Sequence, residues 1–107
     1  MRNKAINALL EMGMPADIKG FDFIVDAMEM FQNEEIRNGK TTFLYALIAK
    51  KNDSTAPRIE RAIRHAFSVV LTKGNIEMAE KYLSLQRTTN GNLLHVLYIR
   101  LTQEVEA

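Results

Sequence analysis

Apolar residues recur along this chain at three- and four-residue spacing, and no stretch sustains the period-two alternation of a strand. The spacing predicts six helices. The first covers residues 2–13, with Ile6, Leu9, Leu10 and Met12 or Met14 on one face. Gly13 ends it, and Pro15 blocks a simple continuation. A short connector follows, with Asp17 a candidate cap. The second helix covers about 18–32 on the stripe Ile18, Phe21, Ile24, Val25, Met28 and Phe31, with Met28 and Met30 as core fillers. Residues 33–39 form a polar passage, with a further turn of helix to Ile36 and Asn38-Gly39 closing it. Thr41 or Thr42 can cap a third helix, to about Lys51, that turns Phe43, Leu44, Leu47 and Ile48 inward. Residues 52–55 make a tight polar turn in which Asp53 can adopt a left-handed conformation or hydrogen-bond the backbone locally. After the long fourth helix, a fifth covers 76–85 on Met78, Ala79, Tyr82 and Leu83. A loop at 86–89 and a turn or cap at 90–92 lead to the last helix, 93–104, on Leu94, Leu97, Tyr98 and Leu101.

The fourth helix, residues 55–75, organises the rest. Ile59, Ala62, Ile63, Ala66, Phe67 and Val70 make its apolar stripe, while Arg58, Arg61, Arg64 and His65 recur on another face. Thr55 is a candidate N-cap. Pro57 falls in the first turn, where a missing N–H costs little, and Lys73-Gly74 supplies a cationic last turn and a stop. Residues 42–73 therefore read as helix, short turn, helix, the unit of helix-turn-helix DNA readers. Ala49 is small enough to let the third helix approach the fourth, and Ile59 and Ala62 pack back onto it. A solvated surface helix or an ordinary helical hairpin carries the same pattern.

Composition narrows the choice. The 107 residues suit a single all-α domain, 1–107, able to bury a core without disulfides. There is no cysteine, which excludes thiol nucleophiles and thiolate metal sites and fits a reducing cytoplasm. The first seven residues lack the apolar core of a signal peptide, and the longest apolar-rich run, 93–101, is too short to span a bilayer. Net charge is only +1, but its distribution is polar. Between Lys50 and Lys73 six basic residues face two acids, a local +4, whereas between Asp17 and Glu35 six acids face Lys19, a local −5. Such a molecule can turn one pole toward phosphates.

No catalytic set assembles. His95 lies in an apolar run and reads as a core or boundary residue. Ser54, Thr55 and Ser68 lack a base arranged as a triad, and no His-x-x-x-His, phosphate loop or EF-hand is present. The chain is therefore expected to be no enzyme, with no metal site and no cofactor. Double-stranded DNA is the partner that the basic pole suits. Arginine matches the O6 and N7 edge of guanine. Arg61 and Arg64, three apart, can look the same way. Glu60 can accept from a cytosine amino group or pair with Arg64 at the favourable i,i+4 spacing, and the two roles can coexist. The pair Lys50-Lys51 falls near the DNA backbone.

Several segments resemble a known family. They are Ala49-Lys50-Lys51, Ser54-Thr55-Ala56, the run Arg58-Ile59-Glu60-Arg61-Ala62-Ile63-Arg64-His65-Ala66, and Lys73-Gly74-Asn75. Upstream, Gly13-Met14-Pro15-Ala16-Asp17-Ile18-Lys19-Gly20-Phe21 is similar, and downstream Thr88-Thr89-Asn90. The likeness is to the C-terminal DNA-binding domain of the sporulation-initiation response regulator, a stage-zero phosphorelay factor of endospore-forming bacteria. It covers nearly the whole chain in order. It implies a six-helix transcription-regulating domain whose fourth helix reads a TGTCGAA-like box. Base contacts would fall to Glu60, Arg61 and Arg64. Backbone contacts would fall to Lys51, Arg58 and His65, beside Lys50, Thr55 and Lys73 of the same basic segment. The RNA polymerase sigma subunit and a second copy on tandem sites are the further partners implied. This sequence departs from the pattern in three ways. Nothing in it corresponds to the family's phosphoacceptor receiver domain. Asn52 replaces a buried aromatic and Pro57 a serine. The stretch between Asn75 and Thr88, where the polymerase contact lies, is shorter. These departures motivate an alternative, a protein-interaction module that modulates a full-length regulator.

Overall fold

The second of the predicted apolar stripes becomes the centre of the molecule. In the computed structural model, which describes the backbone of residues 1–106 and side chains to residue 103, helix α2 (Lys19–Met30) buries Phe21, Ile24, Val25, Ala27 and Met28. Around it stand α1 (Arg2–Glu11), α3 (Glu34–Asn38), α4 (Thr41–Lys51), α5 (Ala56–Lys73), α6 (Ile76–Tyr82) and α7 (Asn90–Glu106). Helix α2 touches α1, α4, α5 and α7, and its broadest contact is with α5. There is no strand among the described residues. The helices close on one core, to which α5 gives Ile59, Ile63, Ala66, Phe67 and Val70, and α7 gives Leu93, Leu94, Leu97 and Leu101. Met28 lies in this core and Met30 packs against it, as expected of flexible fillers. His95 is a boundary residue whose two ring nitrogens each lie 2.8 Å from a backbone carbonyl, Gly91 O and Arg37 O.

The all-α class stands, with seven helices among the described residues rather than six. The added one is α3, where the Asn33 side chain accepts from the N–H groups of Glu35 and Ile36. The cap expectations fare unevenly. Lys40, not Thr41 or Thr42, is the N-cap of α4, and Ile18, not Asp17, is that of α2, neither with a side-chain bond. Thr55 does occupy the N-cap position of α5, but its hydroxyl makes no capping bond. Asn75 caps α6 through the N–H of Met78.

Two glycines set how closely the helices approach. A Cβ on Gly20 would stand 2.2 Å from the carbonyl oxygen of Ala62 and 2.6 Å from Ala66 Cβ, so α2 lies directly on the α5 backbone. Gly74 is needed for a similar reason. Its backbone is extended, not left-handed, and a Cβ there would stand 2.4 Å from Met12 O. Asn75 N–H bonds that same Met12 carbonyl, joining the ends of α1 and α5.

Among the described residues one charge is buried. Asp26 is 4% exposed, and its carboxylate accepts from Lys51 Nζ at 2.7 Å and Asn52 Nδ2 at 3.1 Å, with Arg2 at 3.7 Å. A buried carboxylate without partners is strongly unfavourable, so these bonds fix the end of α4 to α2. Asn52 therefore has a structural task that an aromatic side chain could not perform.

Candidate nucleic-acid interface

The turn that launches α5 is built from local hydrogen bonds. Asn52 N–H bonds Ile48 O at 3.1 Å, Ser54 N–H bonds Ala49 O at 2.9 Å, and Asp53 takes the left-handed conformation with φ of 50°. Pro57 follows in the first turn of α5, exposed and without cost to the helix ladder. Ala49 and Ile59 are both buried where α4 packs on α5, in keeping with the expected close approach of the two helices.

Burial of the α5 stripe decides which way its charges point. At about 100° per residue, Arg61 stands roughly opposite the buried face, Arg64 about 60° to one side and Arg58 about 60° to the other. Arg58, Arg61, Arg64 and His65 are all exposed, so α5 is a cationic ridge. Neither Arg58 nor Arg61 has an ion-pair or hydrogen-bond partner for its side chain among the described residues. Arg64 pairs with Glu60 at 2.9 Å, the i,i+4 alternative that the spacing left open. With Arg64 63% exposed, this bond holds by only about 0.5 kcal/mol. It orients the guanidinium without locking it away from a stronger partner.

A cleft runs along each flank of the ridge. On the α2 side a cleft of about 460 Å³ gathers Lys19, Arg58 and Arg61 with Asp22, Asp53 and Ser54. On the other side a cleft of about 360 Å³ lies between Glu60 and Arg64, Thr41 and Tyr45 of α4, and the residues that begin α7. There Asn90 donates from Nδ2 to the Glu60 carbonyl at 3.0 Å and faces the Tyr45 hydroxyl. Tyr45 is 7% exposed, and burial pushes its phenol above the usual range. The Asn90 bond and Arg64 oppose that shift, and the Glu60 carboxylate adds to it.

The remaining residues of the basic segment are spread more widely. Lys50 is exposed near the end of α4, and Thr55 is exposed at the head of α5. Lys51 is exposed too, but its ammonium is held by Asp26. Lys73 is exposed about 22 Å along the helix axis from Arg58, too far for the two to meet at one point. Tyr45, Asn90 and Lys19 line the site and were not singled out by spacing. Asn90 sat in a polar Asn-Gly-Asn triplet that signals only a turn.

Residues 5–101 match the family described as Sporulation initiation factor Spo0A C terminal. The chain belongs to this family. Spo0A C-terminal domains are DNA-binding transcriptional effector domains and not enzymes. The match spans all of α2 to α6 and so includes the α4–turn–α5 unit, both clefts and Asn90. Among the described residues there is no group of three or more metal-ligating side chains and no helix long and apolar enough to cross a membrane.

Proposed function

We propose that this Spo0A C-terminal-family domain is a cytoplasmic, sequence-specific transcriptional regulator whose α4–turn–α5 unit, residues 42–73, acts as a helix-turn-helix. In this reading 1–107 is one DNA-binding domain, and α5 enters the major groove of a TGTCGAA-like box. Arg61 and Arg64 bind guanine edges, and Glu60 accepts from a cytosine amino group. Lys50, Lys51, Thr55, Arg58, His65 and Lys73 meet phosphates. The observation that carries the reading is the ridge itself, whose burial pattern turns Arg58, Arg61 and Arg64 to solvent together. Energetics support the use of Arg64. Its bond to Glu60 is worth about 0.5 kcal/mol, against roughly 1–3 kcal/mol of discrimination from a bidentate guanine contact. Lys51 would contribute through whichever of its three ammonium protons Asp26 does not take. Tandem boxes would bring two copies together, and the segment 76–87 is the candidate contact for the polymerase sigma subunit.

Titration of a labelled TGTCGAA duplex against a scrambled one tests the proposal. Preference for the box is expected, with affinity falling steeply as salt rises. Equal affinity for the two duplexes would refute specific readout. A second reading, a module that binds a full-length regulator, draws on the exposed apolar side chains Leu10, Phe43, Ile76 and Ile99. A stable complex with such a regulator, together with no DNA binding at low salt, would favour it.

A further inference from the structure

We infer that two cations outside the basic helix-turn-helix segment, Lys19 and Arg87, grip the phosphate strands on either side of the groove that α5 occupies. The inference rests on the DNA-binding reading of α5 and adds to it a backbone contact on each flank. A helix of about 10–12 Å diameter fills a major groove of about 12 Å, so the protein surfaces beside the helix meet the phosphates that border the groove. Those surfaces are the two clefts. On the α2 side, the close approach of Gly20 to the Ala62 backbone brings α2 against α5, and the adjacent Lys19 shares a cleft with Arg58 and Arg61. Three cations there outnumber the acids Asp22 and Asp53.

On the opposite flank, Arg87 lines a hollow with Thr41 and Thr89, and these two threonines also line the cleft beside Arg64. The segment is anchored twice. Asn92 Nδ2 donates to the Arg87 carbonyl at 2.9 Å, and Asn90 holds the Glu60 carbonyl of α5. Arg87 is thus positioned relative to the ridge by hydrogen bonds at both ends of a short span. Both Lys19 and Arg87 are exposed, and neither side chain has a partner among the described residues. Several other cations are committed, as Arg2 is to Glu29, Arg37 to Phe31 O and Lys4 to Leu101 O. The pattern fits a ligand with two parallel tracks of negative charge and a groove between them.

Salt dependence of binding by Lys19→Gln, Arg87→Gln and the double variant tests this, on the TGTCGAA duplex and its scrambled counterpart. Each neutralised phosphate contributes about 0.9 to the slope of log affinity against log salt. Each single variant is expected to lose about 0.9 of slope, and the double about twice that. The wild-type advantage over a single variant should then shrink about 3.5-fold between 50 and 200 mM salt, equally on both duplexes. Arg100→Gln, on the exposed face of α7 away from both clefts, should leave the slope unchanged. Thermal melts of each variant should match wild type, because both side chains are exposed. Unchanged slopes in both variants, with the wild type still preferring its box, would overturn this inference alone. A loss confined to the TGTCGAA duplex would overturn it too, by making these residues base readers. Failure of the wild type to bind either duplex at 50 mM salt would overturn the underlying DNA reading and this inference with it.

Discussion

The position of α5 depends on a contact that a single methyl group would break. In Gly20→Ala the new Cβ would lie 2.2 Å from Ala62 O, 2.6 Å from Ala66 Cβ and 2.9 Å from the Ala62 carbonyl carbon. Ordinary carbon–oxygen contact begins near 3.2 Å, so α2 and α5 must separate by roughly 1 Å, and the nearest obstacle is backbone that cannot rotate away. Overpacking of this kind costs about 1–3 kcal/mol. Alanine is the better helix former by up to about 1 kcal/mol, but Gly20 is only the second residue of α2, where that gain is smaller. The steric term therefore wins, with net destabilisation of about 1–2 kcal/mol. For a domain of this size that lowers Tm by roughly 4–8 °C. Thermal unfolding followed by circular dichroism measures it. Adding Ala66→Gly removes one of the collisions but not those with the Ala62 carbonyl, so recovery should be incomplete. A Tm equal to or above wild type in Gly20→Ala would refute the reasoning.

Two further predictions concern the flank formed by α7. Asn90→Ala removes the bond to the Glu60 carbonyl and should cost about 1 kcal/mol in denaturant unfolding. It should also reduce the preference for the TGTCGAA duplex more than it reduces binding to a scrambled one, because it loosens the segment that carries Glu60 and Arg64. Tyr45 gives a pH dependence. Its folded-state pKa is raised, so the stabilisation is present below the unfolded value, near 10, and is lost as pH rises through and beyond it. Unfolding midpoints should fall between pH 9 and 11, and Tyr45→Phe should flatten that limb. A midpoint that rises over this range would contradict the buried, neutral phenol.

The parts of this fold that sequence makes legible are those written in local periodicity. The stripe of α5 predicted Ile59, Ile63, Phe67 and Val70 as buried and the arginines as exposed. The left-handed Asp53 was also readable, because a short polar residue in a four-residue turn has few other ways to reverse the chain. What escaped depends on contacts between distant positions. Gly20 looked like one residue of a resembling segment, and only the α2–α5 contact reveals what it does. Asp26 sits on the apolar side of α2, and nothing nearby in sequence announces that Lys51 and Asn52 complete it. That same bond takes Lys51 partly out of the set of free cations. Asn90 reaches across thirty positions to Glu60. Helix α3 was legible only as a further turn of helix to Ile36, because its five residues hold no buried stripe and its start is set by the Asn33 cap instead. Thr41 and Asp17 are good cap types one residue out of register, Thr41 being the first residue of α4 and Asp17 preceding the Ile18 cap of α2.

The central claim is that α5 reads bases through the exposed apex of its ridge, and Arg61 is that apex. The most direct measurement is the ratio of affinities for the TGTCGAA duplex and a scrambled duplex, in wild type and in Arg61→Ala at fixed salt. Losing one bidentate arginine should cost roughly 1–3 kcal/mol of discrimination, or about 5- to 150-fold in that ratio, while binding to the scrambled duplex changes little. An Arg61→Ala protein that keeps the wild-type ratio would contradict the account.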